Sequence, residues 1–399
     1  MRPMSRRGLL AVAAGAAMAA VAGCSTTTGS NNKDGHTPDG SGPIGDGSTS
    51  DTGAQPFQPT AERLQPGQTP PQFVIFSWDG AGELDNGLFA RFRKLAHEHN
   101  VKMTFFLSGL YCLPESKKQL YHPPNNPVGA SAIGYFSDKH IKMTLEQIRL
   151  AWLEGHEIGT HFNGHFLDGP GSVARWTPAQ WESEIRQAID FVTKWKTNTR
   201  FTDVKTLPFD YHKELVGGRT PGLLGQKNWL PTAKKMGFRY DASSPGGRQI
   251  WPAKQHDIWD LPLQLMPFPG HKFEVLSMDY NILANQAKTT KGDPRRYAAW
   301  RKQATAAYVG GFQRAYETNR APFYIGNHFE EWNGGIYMDA VEDTLKYISS
   351  LGKKDVRMVS FKQYVNWLDA QDPKLISKLR TLNVGEKPRE GWQEFTSSA

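Results

Sequence analysis

Residues 71–372 predict an α/β fold, a parallel sheet wrapped by helices. Three observations predict it. Short apolar runs of strand length alternate with segments whose apolar residues fall at helical spacing. Two segments open with capping-box signatures, Thr144-Leu145-Glu146-Gln147 and Thr177-Pro178-Ala179-Gln180, the second with Pro at its first helical position. The 399-residue chain is 38% hydrophobic with 12 Trp, 13 Tyr and 21 Phe, enough to bury a sizeable core, which excludes wholesale disorder and a collagen-like or coiled-coil chain. A barrel and a doubly wound sheet fit this pattern equally well, and both place catalytic groups just after the strand carboxyl ends.

The elements follow in order. Phe73-Val74-Ile75-Phe76-Ser77-Trp78 reads as a buried strand, followed by a helix on Leu84, Leu88, Phe89, Phe92 and Leu95. Val101 to Leu107 is the second strand. A helix from Thr144 ends near Gly155, and His156 to Thr160 is a short strand. Trp181, Ile185, Ile189 and Val192 stripe the helix opened by Thr177. A helix from Asn228 to Met236 stops at Gly237, before strand Phe238-Arg239-Tyr240. A long helix covers Arg295 to Glu317, and Phe323 to Gly326 is a strand. Val341, Leu345 and Ile348 mark a helix closed by Gly352, then strand Val356 to Ser360 and helix Phe361 to Leu368. Residues 373–399 are polar and weakly periodic, a peripheral tail, and no internal repeat is evident.

The flanking segments carry an address. Arg2, Arg6 and Arg7 precede an apolar stretch, Leu9 to Ala22, too short for a span of ~20 residues, so residues 1–23 read as an export signal. Ser5-Arg6-Arg7-Gly8-Leu9-Leu10 resembles a twin-arginine signal, and Val21-Ala22-Gly23-Cys24 resembles a bacterial lipobox that would lipidate Cys24. Together they predict an extracytoplasmic protein anchored to a bacterial cell membrane through Cys24. Residues 24–70 are rich in Ser, Thr, Gly, Asp, Asn and Pro and read as a disordered tether. Cys24 and Cys112 are the only cysteines, so no disulfide framework is expected, and Cys112 reads as a buried, inert thiol. The formal charge of +8, three of whose arginines lie in residues 1–23, suits acidic or neutral polymers and is no nucleic-acid footprint. A monomer is expected.

The chemistry lies after the strands. Asp79 follows the first, His161 and His165 follow the strand ending at Thr160, and Arg219-Thr220-Pro221 follows a loop. Asp241 follows strand Phe238-Arg239-Tyr240, and His328 follows Phe323-Tyr324-Ile325-Gly326. His161 and His165, spaced i, i+4, would share one face of a helical turn and could share a metal ion.

The segment Gly155-His156-Glu157-Ile158-Gly159-Thr160-His161-Phe162-Asn163-Gly164-His165 resembles the metal-binding motif of polysaccharide deacetylases, the family-four carbohydrate esterases with a NodB-homology domain. Ser77-Trp78-Asp79-Gly80 resembles their first motif, and Gly218-Arg219-Thr220-Pro221-Gly222 the third. Tyr240-Asp241-Ala242-Ser243, with Trp259-Asp260-Leu261-Pro262, resembles the fourth, and Asn327-His328-Phe329-Glu330-Glu331-Trp332 the fifth. From Tyr280 to Leu368, including Asn319-Arg320-Ala321-Pro322 and Val365-Asn366-Trp367-Leu368, the pattern resembles the chitin deacetylase-like branch. The resemblance spans about residues 72–370 and implies a distorted (β/α) barrel with fewer than eight repeats.

It also implies metal-assisted amide hydrolysis, removing N-acetyl groups from an aminosugar polysaccharide such as chitin fragments, peptidoglycan or exopolysaccharide. His161 and His165 would hold a divalent ion, zinc by expectation, polarising the carbonyl and lowering the pKa of a water to ~7 in the best-tuned sites. Asp79 would be the base, Arg219 would hold it ionised, His328 would protonate the leaving amine, and Asp241 would hydrogen-bond His328. Trp259 or Trp251 would wall the acetyl pocket, and Trp332 would stack on sugar. One position departs from the family: Gly80 stands where the second acid of the first motif completes the metal site. Water could fill the gap, Glu83 could reach in, or Asp79 could itself bind the metal and leave an impaired, glycan-binding lipoprotein. A solute-binding lipoprotein would fit the anchor and tether but not the ordered motifs.

Overall fold

The computed structural model describes residues 42–397, so the expected signal segment, Cys24 and the first part of the expected tether lie outside the described residues. A small antiparallel hairpin, β1 (Gly42–Ile44) and β2 (Thr49–Asp51), precedes β3 (Gln72–Asp79), which is buried along its whole length. Then come α1 (Leu88–Glu98), β4 (Thr104–Leu107), α2 (Asp138–Leu153), β5 (Glu157–Thr160), α3 (Pro178–Thr193), α4 (Trp195–Thr199) and α5 (Tyr211–Glu214). They are followed by β6 (Gly217–Gly218), α6 (Gln226–Lys235), β7 (Tyr240–Asp241), β8 (Ala253–Gln255), β9 (Ile258–Asp260), β10 (Leu265–Pro267) and β11 (Glu274–Leu276). The chain ends with α7 (Asp279–Gln286), α8 (Tyr297–Glu317), β12 (Phe323–His328), α9 (Trp332–Ser350), β13 (Val356–Met358), α10 (Phe361–Ala370), α11 (Pro373–Leu379) and α12 (Gly391–Ser397).

The main sheet runs β12-β3-β4-β5-β6-β7-β9-β8, with β13 also beside β3, and every pairing is parallel except β8 with β9. The fold is α/β, and the sheet is curled like part of a barrel. The ring of Phe361, at the start of α10, lies 5.9 Å from that of Phe106 on β4, 5.2 Å from Tyr240 on β7 and 5.3 Å from Tyr324 on β12. One side chain can touch strands so far apart in the sheet only if the sheet wraps around it. A Cβ at Gly217 would lie 1.9 Å from the Tyr240 ring, so the curl at β6 requires glycine there.

Strand alternation divides the core in two. Val74, Phe76 and Trp78 of β3, Phe105 and Leu107 of β4 and Phe323 and Ile325 of β12 join one cluster with the surrounding helices. Phe73, Ile75, Phe106, Tyr240, Trp259 and Tyr324 point to the concave side and pack with Phe361, Tyr364, Val365 and Trp367 of α10. The helix thus fills the concave side, and its first-turn Lys362 amide donates to Glu157 Oε2 at 2.7 Å.

Several expected boundaries move. The capping box at Thr177 and Gln180 is present, and an equivalent box at Ser360 and Gln363 opens α10. Thr144, by contrast, lies inside α2, which is capped by Ser137, and its hydroxyl accepts from the Glu83 amide at 2.9 Å. The strand expected at 238–240 begins at Tyr240, because Phe238 packs edge-on against Trp229 of α6. Cys112 is buried, and burial pushes its thiol up to about 12, an inert state.

The expected tether and tail are corrected more substantially. From Gly42 onward the supposed tether is docked: Trp195 Nε1 donates to the Ser48 carbonyl at 2.8 Å, and Gln55 Nε2 donates to the Trp152 and His156 carbonyls. Gln371 accepts from the Leu64 amide at 2.8 Å. Polar composition disguised the segment because it is fixed mainly by hydrogen bonds rather than by apolar burial. The residues after 372 form α11 and α12, and this segment buries Leu375, Ile376 and Leu379 of α11, Leu382 of the connection and Phe395 of α12 against the α10 cluster. Among the described residues no helix is long and apolar enough to cross a membrane. A chain shortened to begin at residue 71 is expected to lose on the order of 2 kcal/mol relative to the full chain, as the Trp195 and His156 partners are stripped away. Urea unfolding midpoints of the two chains check this.

Candidate active site

The residues that follow each strand converge because the parallel strands all deliver their carboxyl ends to one edge. Along β3, Ser77 and Asp79 share the concave parity of Phe73 and Ile75. Arg219 continues β6, and its amide donates to the Thr160 carbonyl at 3.0 Å. Its guanidinium is fully buried and reaches across the sheet: Nη1 donates to Asp79 Oδ1 at 2.8 Å and to Ser77 Oγ at 2.9 Å, while Nε donates to the Ala242 carbonyl. Burial by itself would raise the Asp79 carboxyl, but Arg219, with His161 and His328, holds it below the usual carboxylate range. The expected Asp79–Arg219 pair is present.

His161 and His165 are together, though not on a helical turn as their spacing suggested. They sit in a loop after β5 with ring centroids 5.1 Å apart. Phe162 (φ 60°) and His165 (φ 59°) are left-handed, a conformation that costs a non-glycine residue ~1–2 kcal/mol. Buried contacts hold the loop in place. The Gly109 amide donates to the Phe162 carbonyl at 2.7 Å, the Gly164 amide to Tyr121 Oη at 2.9 Å, and Asn163 Nδ2 to the Glu184 carbonyl at 3.0 Å. Tyr121 in turn donates to the Glu184 carboxyl, which burial pushes up to about 7. His161 Nδ1 lies 2.7 Å from the Arg219 carbonyl, an acceptor that fixes the proton on Nδ1 and gives Nε2 the lone pair.

The partner expected for His328 is replaced by another residue. Asp241 lies on the opposite face of β7 from Tyr240, and there it accepts from Trp229 Nε1 at 2.7 Å and from Ser243 Oγ at 2.6 Å. Asp279 holds His328 instead: Oδ1 is 2.8 Å from His328 Nδ1, and Oδ2 accepts from the His328 amide at 2.7 Å. Residues 277–279 run beside β12, with the Gly326 amide bonded to the Ser277 carbonyl and Met278 bridged to Gly326. One bridge is too short a strand to announce itself in sequence, which is why Asp279 was missed. The ring of Trp332 lies 5.3 Å from that of His328.

The other tryptophans do not wall this site. Trp259 donates to Asp369 at 2.7 Å, lies under the Lys254 ammonium, and borders a cavity of about 260 Å³ with Leu368 and Asp369 of α10. Trp251 donates to the Asn319 carbonyl and packs near Trp367. Glu83 does not reach in: its carboxylate accepts from the Phe89 and Ala90 amides at 3.2 and 2.8 Å and caps α1. Gly80 is left-handed at φ 62°, so the turn after β3 uses glycine's conformational freedom as well as its lack of a side chain.

Two adjacent imidazoles fit a divalent ion that draws its remaining ligands from water. Among the described residues no group of three or more His, Cys, Asp or Glu is arranged to hold one.

No family model matches the chain, and no curated protein matches it. Among solved structures, the chain is similar to a Mycobacterium smegmatis protein described as a polysaccharide deacetylase, at 14% identity and TM-score 0.44 over 78% of this chain and 95% of that one. It is similar to a family 4 carbohydrate esterase from Streptomyces lividans in complex with acetate, at 10% identity and TM-score 0.35 over 72% and 92%. It is also similar to a pseudoenzyme of the same esterase family from Bacillus anthracis, at 10% identity and TM-score 0.38 over 78% and 70%.

Burial raises the Asp241 carboxyl from 3.8 to about 6, so in this range the folded chain binds that proton more tightly than the unfolded chain. Its contribution therefore destabilises as pH rises through about 4 to 6. Asp241→Asn removes that titration. The wild type is expected to lose about 2–3 kcal/mol more stability than the variant between pH 4 and 6.5, measured by denaturant unfolding at each pH.

Proposed function

We propose that the chain is a metal-dependent hydrolase that removes N-acetyl groups from an aminosugar polysaccharide. The observation that carries this reading is the ring of concave-side groups at one sheet edge. It brings together a buried carboxylate clamped by arginine, an adjacent imidazole pair, and a third imidazole braced by its own carboxylate.

The roles follow from the contacts each residue makes. Asp79 gives Oδ1 to Arg219, so Oδ2 is the oxygen that would take a proton from the attacking water. Arg219 keeps that carboxylate charged and aimed, and Ser77 and Ala242 fix the guanidinium. His161 and His165 would hold the ion, which when bound would supply Lewis-acid polarisation of the acyl oxygen. As the C–N bond breaks, His328 would pass a proton to the departing amine. Asp279 holds the Nδ1 side of the ring and so presents Nε2 to the substrate. Trp332, beside that ring, offers an apolar face for a sugar. The proposed setting is the outer face of a bacterial membrane, with the domain anchored through Cys24 and N-acetylated cell-surface polymer as the substrate.

A second reading has one observation in its favour. With glycine at position 80 and Glu83 committed to α1, no third protein ligand stands beside the histidines among the described residues, as in a glycan-binding protein that has lost catalysis. Metal uptake separates the two. At micromolar zinc the purified full chain is expected to hold about one ion and His161→Ala none; equally little in both would favour the binder. Acetate release from chitooligosaccharides, peptidoglycan fragments and exopolysaccharide is expected to stop on chelation.

Two variants test the residue roles. Asp79→Asn should lower kcat by roughly 10²-fold or more, and survival of full activity would remove Asp79 as the base. Asp279→Asn should lower kcat by about 10-fold or more through His328, while Asp241→Asn leaves kcat within about threefold. The reverse order would restore Asp241 to the site.

A further inference from the structure

One hydroxyl at the reactive edge does none of the work usual for its position. Ser108 follows β4 and is fully buried. The strand's parallel pairing ends at Leu107 opposite Thr160; beyond it the His161 amide still donates to the Leu107 carbonyl at 2.8 Å, and the Gly109 amide bonds one residue further along, to the Phe162 carbonyl at 2.7 Å. Ser108 is therefore the residue beside His161. On the other flank, the Ala81 amide donates to the Phe106 carbonyl at 2.9 Å, so the turn at Gly80 lies alongside. Ser108 itself is extended (φ −83°, ψ 121°), so strand alternation carries through it. It shares the concave parity of Thr104 and Phe106, beside His161 on one neighbouring strand and one same-face step along from Phe106, the partner of Asp79 on the other.

Serine at the head of a helical turn ordinarily caps it. Ser108 heads the turn Gly109–Cys112, yet its side chain makes no capping bond. Among the described residues its Oγ has no hydrogen-bond partner. Leaving a buried hydroxyl unsatisfied costs ~1–3 kcal/mol, so such a group calls for a partner from outside the protein.

The space beside it is defined by Gly80. A Cβ built there would lie 3.9 Å from Ser108 Oγ and 3.4 Å from the Tyr111 hydroxyl. Tyr111 is fixed by stacking on Phe136, with ring centroids 3.9 Å apart and planes at 6°. Two hydroxyls thus face the place that a side chain at position 80 would occupy, next to the base.

We propose that Ser108 Oγ, flanked by the Tyr111 hydroxyl, is a catalytic hydroxyl that seats the attacking water between Asp79 and His161. A serine hydroxyl both donates and accepts, so it can orient a water whose proton goes to Asp79 while the oxygen lone pair faces the acyl carbon. This rests on the deacetylase reading above.

The test uses the full chain. Ser108→Ala is expected to lower kcat for chitooligosaccharide deacetylation by roughly 10- to 100-fold, with KM and the urea unfolding midpoint little changed, and Ser108→Thr is expected to recover most of it. Ser108→Ala with kcat within about twofold of an active wild type would overturn the proposal. A high-resolution crystal structure of the wild type provides a readout that needs no turnover. It should show a water within about 3.2 Å of Ser108 Oγ, absent in Ser108→Ala. An inactive wild type with that water in place would count against the hydrolase reading and leave the seat intact. A dry Ser108, its hydroxyl turned to a protein partner, would refute the seat.

Discussion

The Arg219–Asp79 pair is the interaction on which the site depends, and it exists only because the sheet curls. The two residues lie on strands separated by β4 and β5, and Arg219 spans that distance inside the concavity. Both charges are out of water, so each is tolerated only through the other and through the polar groups around them. Ser77 Oγ and the Ala242 carbonyl take further guanidinium protons, and the ring of Phe106 lies 4.8 Å from its centre. Removing either partner would leave a buried charge uncompensated, a loss of ~3–5 kcal/mol in comparable cases. The pair thus ties the Asp79 carboxylate to the geometry of the sheet. An error in curl that separated the two residues would discharge or misdirect the carboxylate.

The same pair reaches the histidines through the backbone. The Arg219 carbonyl accepts from His161 Nδ1 while the Arg219 side chain holds Asp79, so one residue orients both that carboxylate and one imidazole. The loop that carries the imidazoles is strained at Phe162 and His165 and is backed by Tyr121, Asn163 and Glu184. Strain of this kind persists only where surrounding contacts over-determine the backbone. Here the contacts come from α3 and from the segment after β4, buried and remote from the open edge. Asp279 does the same for His328, reaching it from a length of chain that lies against β12 for a single bridge. Each reactive group is oriented by a partner from a different part of the chain.

Much of this was legible in sequence, for reasons that can be stated residue by residue. The run Phe73 to Trp78 had to be a buried strand, and a parallel strand must deliver Asp79 to the same edge as His161, Arg219 and His328. Asp241 was misplaced because strand alternation was not applied to it. Tyr240 faces the concavity, so its neighbour faces α6 and meets Trp229. Residues 42–70 and 373–397 read as tether and tail because their composition is polar. Their order comes from hydrogen bonds such as Ser48 to Trp195, and from a few apolar residues, Leu375, Leu379 and Phe395, that find a cluster far away in sequence.

The amino-acid sequence by itself determined the α/β pattern and the chemical identities gathered at the strand ends: an acid, two histidines four apart, an arginine and a third histidine. It did so because strand length, apolar periodicity and motif spacing are local properties. Only the tertiary structure decided which carboxylate braces His328 and which hydroxyls the left-handed turn at Gly80 opens onto. Those are contacts between segments tens to hundreds of residues apart. They are fixed by sheet register and curl, which no local stretch of sequence encodes.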